Sequence, residues 1–211
     1  MRSIFCAADS AERAATQMIW LPGAYHRAQD FEREGFAQAV SRRRKPLDLR
    51  FVDLEMQHLN DQDALERLQS DIVLPARDSG ASLWLAGISL GGLMAMDYAS
   101  SHLGEIDGLC LLAPYLGNRM LINEIAAVGL AAWEPGELAE SDAERRIWRY
   151  IKTRADSRPL LLGYGRGDRF SGGHDLLAAA LPAGSVAVVG GGHEWRTWTR
   201  LWETFLDSHF A

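Results

Sequence analysis

Between Ser82 and His102 the chain changes its period. Ser82-Leu-Trp-Leu-Ala-Gly-Ile is an apolar run of strand length, Leu90-Gly-Gly-Leu-Met-Ala-Met-Asp-Tyr-Ala has helical spacing, and the change falls at Ser89. Gly87 and Gly91 flank this serine as G-x-S-x-G and Gly92 follows, so side chains are missing where a strand must turn sharply into a helix. Strand, strained turn and helix in succession form a nucleophile elbow. Such a turn raises a hydroxyl toward substrate, and the Leu90 N–H, at a helix N-terminus, is placed to stabilise an oxyanion. G-x-S-x-G also recurs by chance, and the other reading is a tight turn with a passive serine; the strand before and the helix after favour catalysis.

The rest of the chain repeats the strand-helix rhythm. Gln17 to Leu21 reads as a buried strand stopped by Pro22-Gly23, with the loop Ala24-Tyr25-His26-Arg27 after it. Asp30 can cap a helix carrying Phe31, Phe36, Ala39 and Val40, ended by Arg42-Arg43-Arg44-Lys45 and Pro46. Strands follow at 47–54, 108–113, 159–164 and 185–189, with helices at 61–77, 175–180 and 194–209. Ser3 to Ala8 allows at most a short edge strand. Residues 115–158 break the rhythm with helical stretches at 119–130 and 141–154, which read as a small helical cap. This predicts an α/β three-layer sandwich with a mainly parallel sheet of about six strands, helices on both faces, and one domain over 1–211 with the cap inserted at about 115–158.

The 211 residues and 47% apolar content suffice for one buried core. No apolar run is long enough for a membrane span, and the N-terminus makes a poor signal peptide, so a cytoplasmic location is expected. Cys6 and Cys110 are too few for a disulfide framework and lack metal-type spacing, so neither a metal nor a cofactor is expected. The net charge of −6 argues against a nucleic-acid partner, the basic cluster at 42–45 reading as a solvated turn.

A serine hydroxyl needs a base, and the base needs a group that fixes its tautomer. His174 and His193 both follow Gly-Gly pairs, but only His193 lies in the loop directly after the last strand, which favours it; His174 reads as a surface residue beginning a short helix. His58, His102 and His209 are worse placed, and His26, beside the loop after the first buried strand, is a candidate substrate contact or a solvated loop residue. Asp168, in Gly165-Arg-Gly-Asp-Arg after a buried strand, can reach an imidazole from the next strand; the alternative is a turn aspartate paired with Arg166 or Arg169. Ala24, with Tyr25 as next choice, is the expected second oxyanion donor beside Leu90. Tyr25, Tyr115 and Trp133 join His26 as candidate substrate-binding residues; packing is the competing role for Tyr115, Leu116, Trp133, Trp148, Trp195 and Trp198.

With Gly-Ile-Ser89-Leu-Gly-Gly, Gly-Arg-Gly-Asp168 and Gly-Gly-His193-Glu-Trp in that order, the chain from about Gln17 onward resembles the α/β-hydrolase superfamily, particularly its small bacterial esterase-like and thioesterase-like members. The resemblance implies Ser89 as nucleophile, Asp168 as acid and His193 as base. Two departures stand out: Pro22-Gly23 replaces the usual His-Gly of the oxyanion loop, and the superfamily's first antiparallel strands are absent or vestigial. The expected reaction is hydrolysis of a small-molecule ester or thioester through an acyl-enzyme. An acyltransferase or peptidase with the same triad and a non-catalytic hydrolase-like binding protein are the competing classes, and the cap is also a candidate homodimer surface.

Overall fold

The computed structural model describes residues 1–8, 14–54, 63–139, 141–154 and 158–210. Successive side chains on a strand point to opposite sides, and in the inner strands both sets are apolar, so both faces of the sheet must be covered. Ile19, Leu21, Leu85 and Leu111 face one layer of helices, and Met18, Trp20, Ala86 and Cys110 face the other. The strands are β1 (Ser3–Cys6), β2 (Thr16–Leu21), β3 (Leu47–Val52), β4 (Ser82–Ile88), β5 (Gly108–Leu112), β6 (Leu160–Gly165) and β7 (Val186–Val189). Their order is β1-β3-β2-β4-β5-β6-β7, with β4 at the centre.

The sheet has seven strands where the sequence suggests about six. The added strand is β1, antiparallel to β3 with Ser3 opposite Val52 and Cys6 opposite Leu49. It is the short edge strand that the sequence allows at Ser3 to Ala8, four residues long, so the first antiparallel strands are vestigial and only the count of about six is corrected. The remaining pairings are parallel.

On one face lie α1 (Ala28–Arg33), α2 (Phe36–Arg43) and α9 (Trp195–Ser208). Asp30 does not occupy the cap itself: Arg27 is the N-cap residue, and Asp30, three places on, accepts its N–H at 2.8 Å. The helix expected here is two helices, because Gly35 takes φ 85° between them. Trp20, Phe31, Phe36 and Trp202 fill this layer, Trp20 meeting Phe36 edge-on at 5.0 Å and Trp202 at 5.1 Å.

On the other face lie α3 (Asp63–Leu68), a π turn (Gln69–Val73), α4 (Leu74–Arg77), α5 (Leu90–Ser101), α6 (Arg119–Val128), α7 (Ala143–Thr153) and α8 (Ser171–Ala179). The start of the helix expected at Asp61, and His58, lie outside the described residues. The π turn runs directly into α4, whose second residue is Pro75; the proline ring has no N–H to give and crowds the carbonyl of the preceding turn, and widening that turn accommodates it.

The helices between β5 and β6, α6 and α7, are built onto the core that the sheet shares. Ile125, Trp133, Ile147 and Trp148 are buried in the same cluster as β4 and β5 residues. Helix α7 also grips α5 through a bidentate pair, Arg146 Nε to Asp97 Oδ1 at 2.7 Å and Nη2 to Oδ2 at 2.9 Å. The Trp148 indole donates to the Leu116 carbonyl at 2.7 Å.

Candidate active site

Parallel strands deliver their following loops to one edge of the sheet. Pro22-Gly23 follows β2, Ser89 follows β4, Pro114-Tyr115 follows β5, Asp168 follows β6 and His193 follows β7. All the polar candidates are therefore gathered at the carboxyl ends of the strands, where open α/β sheets form their clefts.

Ser89 has φ 52° and ψ −115°, outside the regions L-residues favour. The conformation is enforced from every side. Its N–H donates to Leu112 O at 3.1 Å, and its carbonyl accepts from the N–H groups of Gly92 at 2.9 Å, Leu93 at 3.2 Å and Tyr115 at 2.8 Å. The neighbouring glycines are demanded by proximity. A Cβ on Gly91 would overlap the Leu21 carbonyl and come within 2.6 Å of Pro22 O, and one on Gly92 would lie 2.7 Å from Pro114 Cβ. Elbow, β2 loop and β5 loop thus touch backbone to backbone.

His193 Nε2 lies 2.9 Å from Ser89 Oγ and its Nδ1 lies 2.8 Å from Asp168 Oδ2. An ionised carboxylate only accepts, so Nδ1 carries the proton and Nε2 is left to accept from the serine hydroxyl. Asp168 is 3% exposed, and its second oxygen, Oδ1, accepts the Phe170 N–H at 2.9 Å. Burial alone would raise the Asp168 carboxyl, but hydrogen bonds from His193 and the Phe170 amide outweigh it and hold the group below the ordinary carboxylate range. The β6 and β7 loops are tied together by Gly167 N–H to Gly191 O at 2.9 Å and Arg166 N–H to Val189 O at 2.9 Å, which fixes Asp168 against His193.

The imidazole is also held sideways. Phe170 and Trp198 each meet the His193 ring edge-on at 5.1 Å. Phe170 escaped sequence reasoning, since a lone aromatic after Asp-Arg carries no periodic signal. It continues the contact outward to Tyr115 at 5.5 Å. Tyr115 donates its hydroxyl to Glu144 Oε1 at 2.8 Å, while Asn118 N–H and Nδ2 hold Glu144 Oε2 at 2.9 and 2.7 Å. Burial first, and then that carboxylate, push the Tyr115 phenol up to about 12.

At the β2 loop, the His26 N–H donates to Gly23 O at 3.1 Å and Tyr25 takes φ 66°, a tight turn with a left-handed third residue. Gly23 lies against the serine: a Cβ there would sit 3.5 Å from Ser89 Cβ. Among the described residues the N–H groups of Leu90 and Ala24 have no hydrogen-bond partner. The Tyr25 side chain is 86% exposed, whereas His26 is partly buried against Trp195 at 4.9 Å between ring centres.

Two expectations change. Trp133 is not at this cluster: it is 2% exposed in the core that α6 and α7 share with the sheet, its indole donating to Glu124 at 2.8 Å with Arg145 over the ring. His174 is not a surface residue: it is wholly buried on α8, its Nε2 donating to the Pro114 carbonyl at 2.9 Å, and burial lowers its pKa. That bond braces the end of the β5 loop. Among the described residues no group of three or more His, Cys, Asp or Glu side chains is placed to hold a metal ion, and no helix is long and apolar enough to cross a membrane.

No model of a known protein family matches the sequence, and no curated protein matches it. Solved structures do. A ferulic acid esterase matches with a TM-score of 0.65 at 14% identity, over 97% of this chain and 95% of that one. The monoacylglycerol lipase of Paleococcus ferrophilus matches with a TM-score of 0.63 at 15% identity, over 99% and 98%. An alpha-beta serine hydrolase homologue from Coxiella burnetii matches with a TM-score of 0.61 at 14% identity, over 99% and 91%. The chain therefore has the α/β-hydrolase fold, a mostly parallel sheet between two helical layers.

Proposed function

We propose that the protein is a serine hydrolase that cleaves a small-molecule carboxylic ester or thioester through an acyl-enzyme. The observation that carries this reading is the continuous chain from Ser89 Oγ through His193 to Asp168, with links of 2.9 and 2.8 Å. His193 Nε2 takes the hydroxyl proton as Ser89 Oγ attacks the carbonyl carbon, and Asp168 stabilises the imidazolium that forms. The oxyanion is received by the Leu90 N–H and by the Ala24 N–H, each worth on the order of 3 kcal/mol in the barrier. His193 then gives its proton to the leaving oxygen or sulfur, and water repeats the sequence to release the acid. Tyr115, between Phe170 and Glu144, borders the acyl path. The unpaired cysteines Cys6 and Cys110 fit a reducing compartment such as the cytoplasm.

Labelling with a fluorophosphonate probe and mapping of the modified peptide tests this. Wild type should be labelled at Ser89, Ser89→Ala not at all, and His193→Ala far more slowly at unchanged fold. A folded wild-type protein that neither labels nor hydrolyses activated esters and thioesters would overturn the reading.

A further inference from the structure

The β2 loop carries one polar side chain that the proposed chemistry leaves unused. His26 Nδ1 is buried and has no hydrogen-bond partner among the described residues. It faces Gly23: a Cβ on that glycine would meet Nδ1 at 3.1 Å and Ser89 Cβ at 3.5 Å, so imidazole and nucleophile flank the same residue. The ring packs against Trp195 at 4.9 Å and Trp198 at 5.8 Å, and Trp198 in turn meets His193 at 5.1 Å. His26 and His193 therefore stand along one aromatic wall beside Ser89.

That wall is the side from which the leaving group departs. The leaving oxygen receives its proton from His193 Nε2, so it must lie within hydrogen-bond reach of that atom. A neighbour of His193 on the same wall faces the alcohol part of an ester.

The proton on His26 can be located. Burial lowers the pKa of the ring, Arg33 and His193 add to this, and Asp30 and Glu34 oppose it, so the ring is neutral at pH 7 with one N–H. An N–H at Nδ1 would be sealed in with no acceptor, which disfavours that tautomer. The proton belongs on Nε2, leaving a neutral donor with its ring faces held by two indoles. A packing role alone is better served by phenylalanine, which has no ring nitrogen to desolvate.

Resting on the hydrolase reading, we propose that His26 is a specificity-determining residue whose Nε2–H donates to a second oxygen on the leaving alcohol, selecting esters of alcohols that carry an ether or hydroxyl oxygen.

The test uses two nearly isosteric pairs of esters. Butyl and 2-methoxyethyl butanoate differ by CH2 for O in the alcohol, and ethyl butanoate and ethyl methoxyacetate differ likewise in the acyl group. The kcat/KM ratio within each pair is compared between wild type and His26→Phe, so intrinsic reactivity cancels. His26→Phe should lower the methoxyethyl-to-butyl ratio about tenfold, the worth of one hydrogen bond of about 1.4 kcal/mol, and leave the acyl pair unchanged. His26→Gln, which restores an N–H donor, should recover part of the ratio. Should His26→Phe fail to fold, His26→Ala is read in the same way. An alcohol-pair ratio that does not move, or a change confined to the acyl pair, would overturn this inference alone. Absence of hydrolysis of all four esters, with no probe labelling of Ser89, would overturn the hydrolase reading and this inference with it.

Discussion

The backbone at Ser89 supplies a prediction in which stability and catalysis separate. A non-glycine residue at φ 52° and ψ −115° carries strain of about 1–3 kcal/mol, tolerated because four backbone hydrogen bonds determine the position. Ser89→Ala and Ser89→Gly both lose the hydroxyl and its contact with His193, so that loss cancels between them. They differ in the Cβ: glycine relieves the strain but gives up about 0.5–1 kcal/mol through the greater freedom of its unfolded chain. The glycine variant should therefore be the more stable by about 1 kcal/mol, or about 3 °C in Tm for a domain of this size. Urea unfolding and differential scanning calorimetry of the two variants, at one pH and concentration, read this difference. Equal stability, or a more stable alanine variant, would refute the assignment of strain to this residue.

Gly91→Ala should displace the Leu21-Pro22 backbone, at a cost of about 1–3 kcal/mol and a roughly hundredfold fall in kcat/KM. Gly172→Ala, where a Cβ would meet nothing within 4 Å, is the control for both readouts. Arg146→Ala leaves the 6%-exposed Asp97 without its bidentate partner and should lower the unfolding free energy by about 3–5 kcal/mol in urea titrations, with much of the loss recovered in the Asp97→Ala, Arg146→Ala double variant. Asp168 binds its proton more weakly folded than unfolded, so its contribution to stability is complete above about pH 4 and disappears as pH falls through the lower folded value. Asp168→Asn should flatten the decline of the urea midpoint between about pH 5 and pH 2.5; an unchanged decline would show that other carboxyls carry it.

Much of this architecture is readable from local pattern, because parallel strands buried on both faces leave continuous apolar runs and glycines appear where backbones must touch. Gly108 to Leu112, Leu160 to Gly165 and the glycines around Ser89 are of that kind. The features that escaped have weak or non-local signals. Ser3 to Cys6 was legible only as a permitted short edge strand, because four residues are too few to display an alternation and their pairing with β3 depends on a strand more than forty positions away. The division between α1 and α2 hangs on one glycine whose left-handed conformation the helical periodicity of Phe31, Phe36 and Val40 conceals. His174 reads as exposed from its Gly-Gly neighbours, yet α8 turns it under the β5 loop to the Pro114 carbonyl, a partner sixty residues away. Trp133 is a candidate for a pocket wall or for packing in the sequence, because an aromatic there has two uses, and only its burial and the Glu124 contact select packing. The order Ser89, Asp168, His193 was legible because each follows a strand; the lateral support from Phe170 and Trp198 was not, since it depends on how loops fold over one another.

The central place of β4 has a consequence for how the chain can be divided. Ser89, Leu90 and Ala24 belong to the segment before residue 102, whereas Asp168 and His193 belong to the segment after residue 160. In the sheet the two sets meet at the pairing of β4 with β5, from Trp84 opposite Gly108 to Ile88 opposite Leu112, closed at its base by Asp107 Oδ2 accepting the Leu83 N–H at 2.7 Å, and in the helical layers they meet at Arg146–Asp97 and Trp20–Trp202. A cut in the turn at 102–107 would leave each fragment with half of the proposed catalytic constellation and an exposed sheet edge. Recovered hydrolysis on mixing would then report docking along that interface, making the protein a split reporter whose signal is its own reassembly.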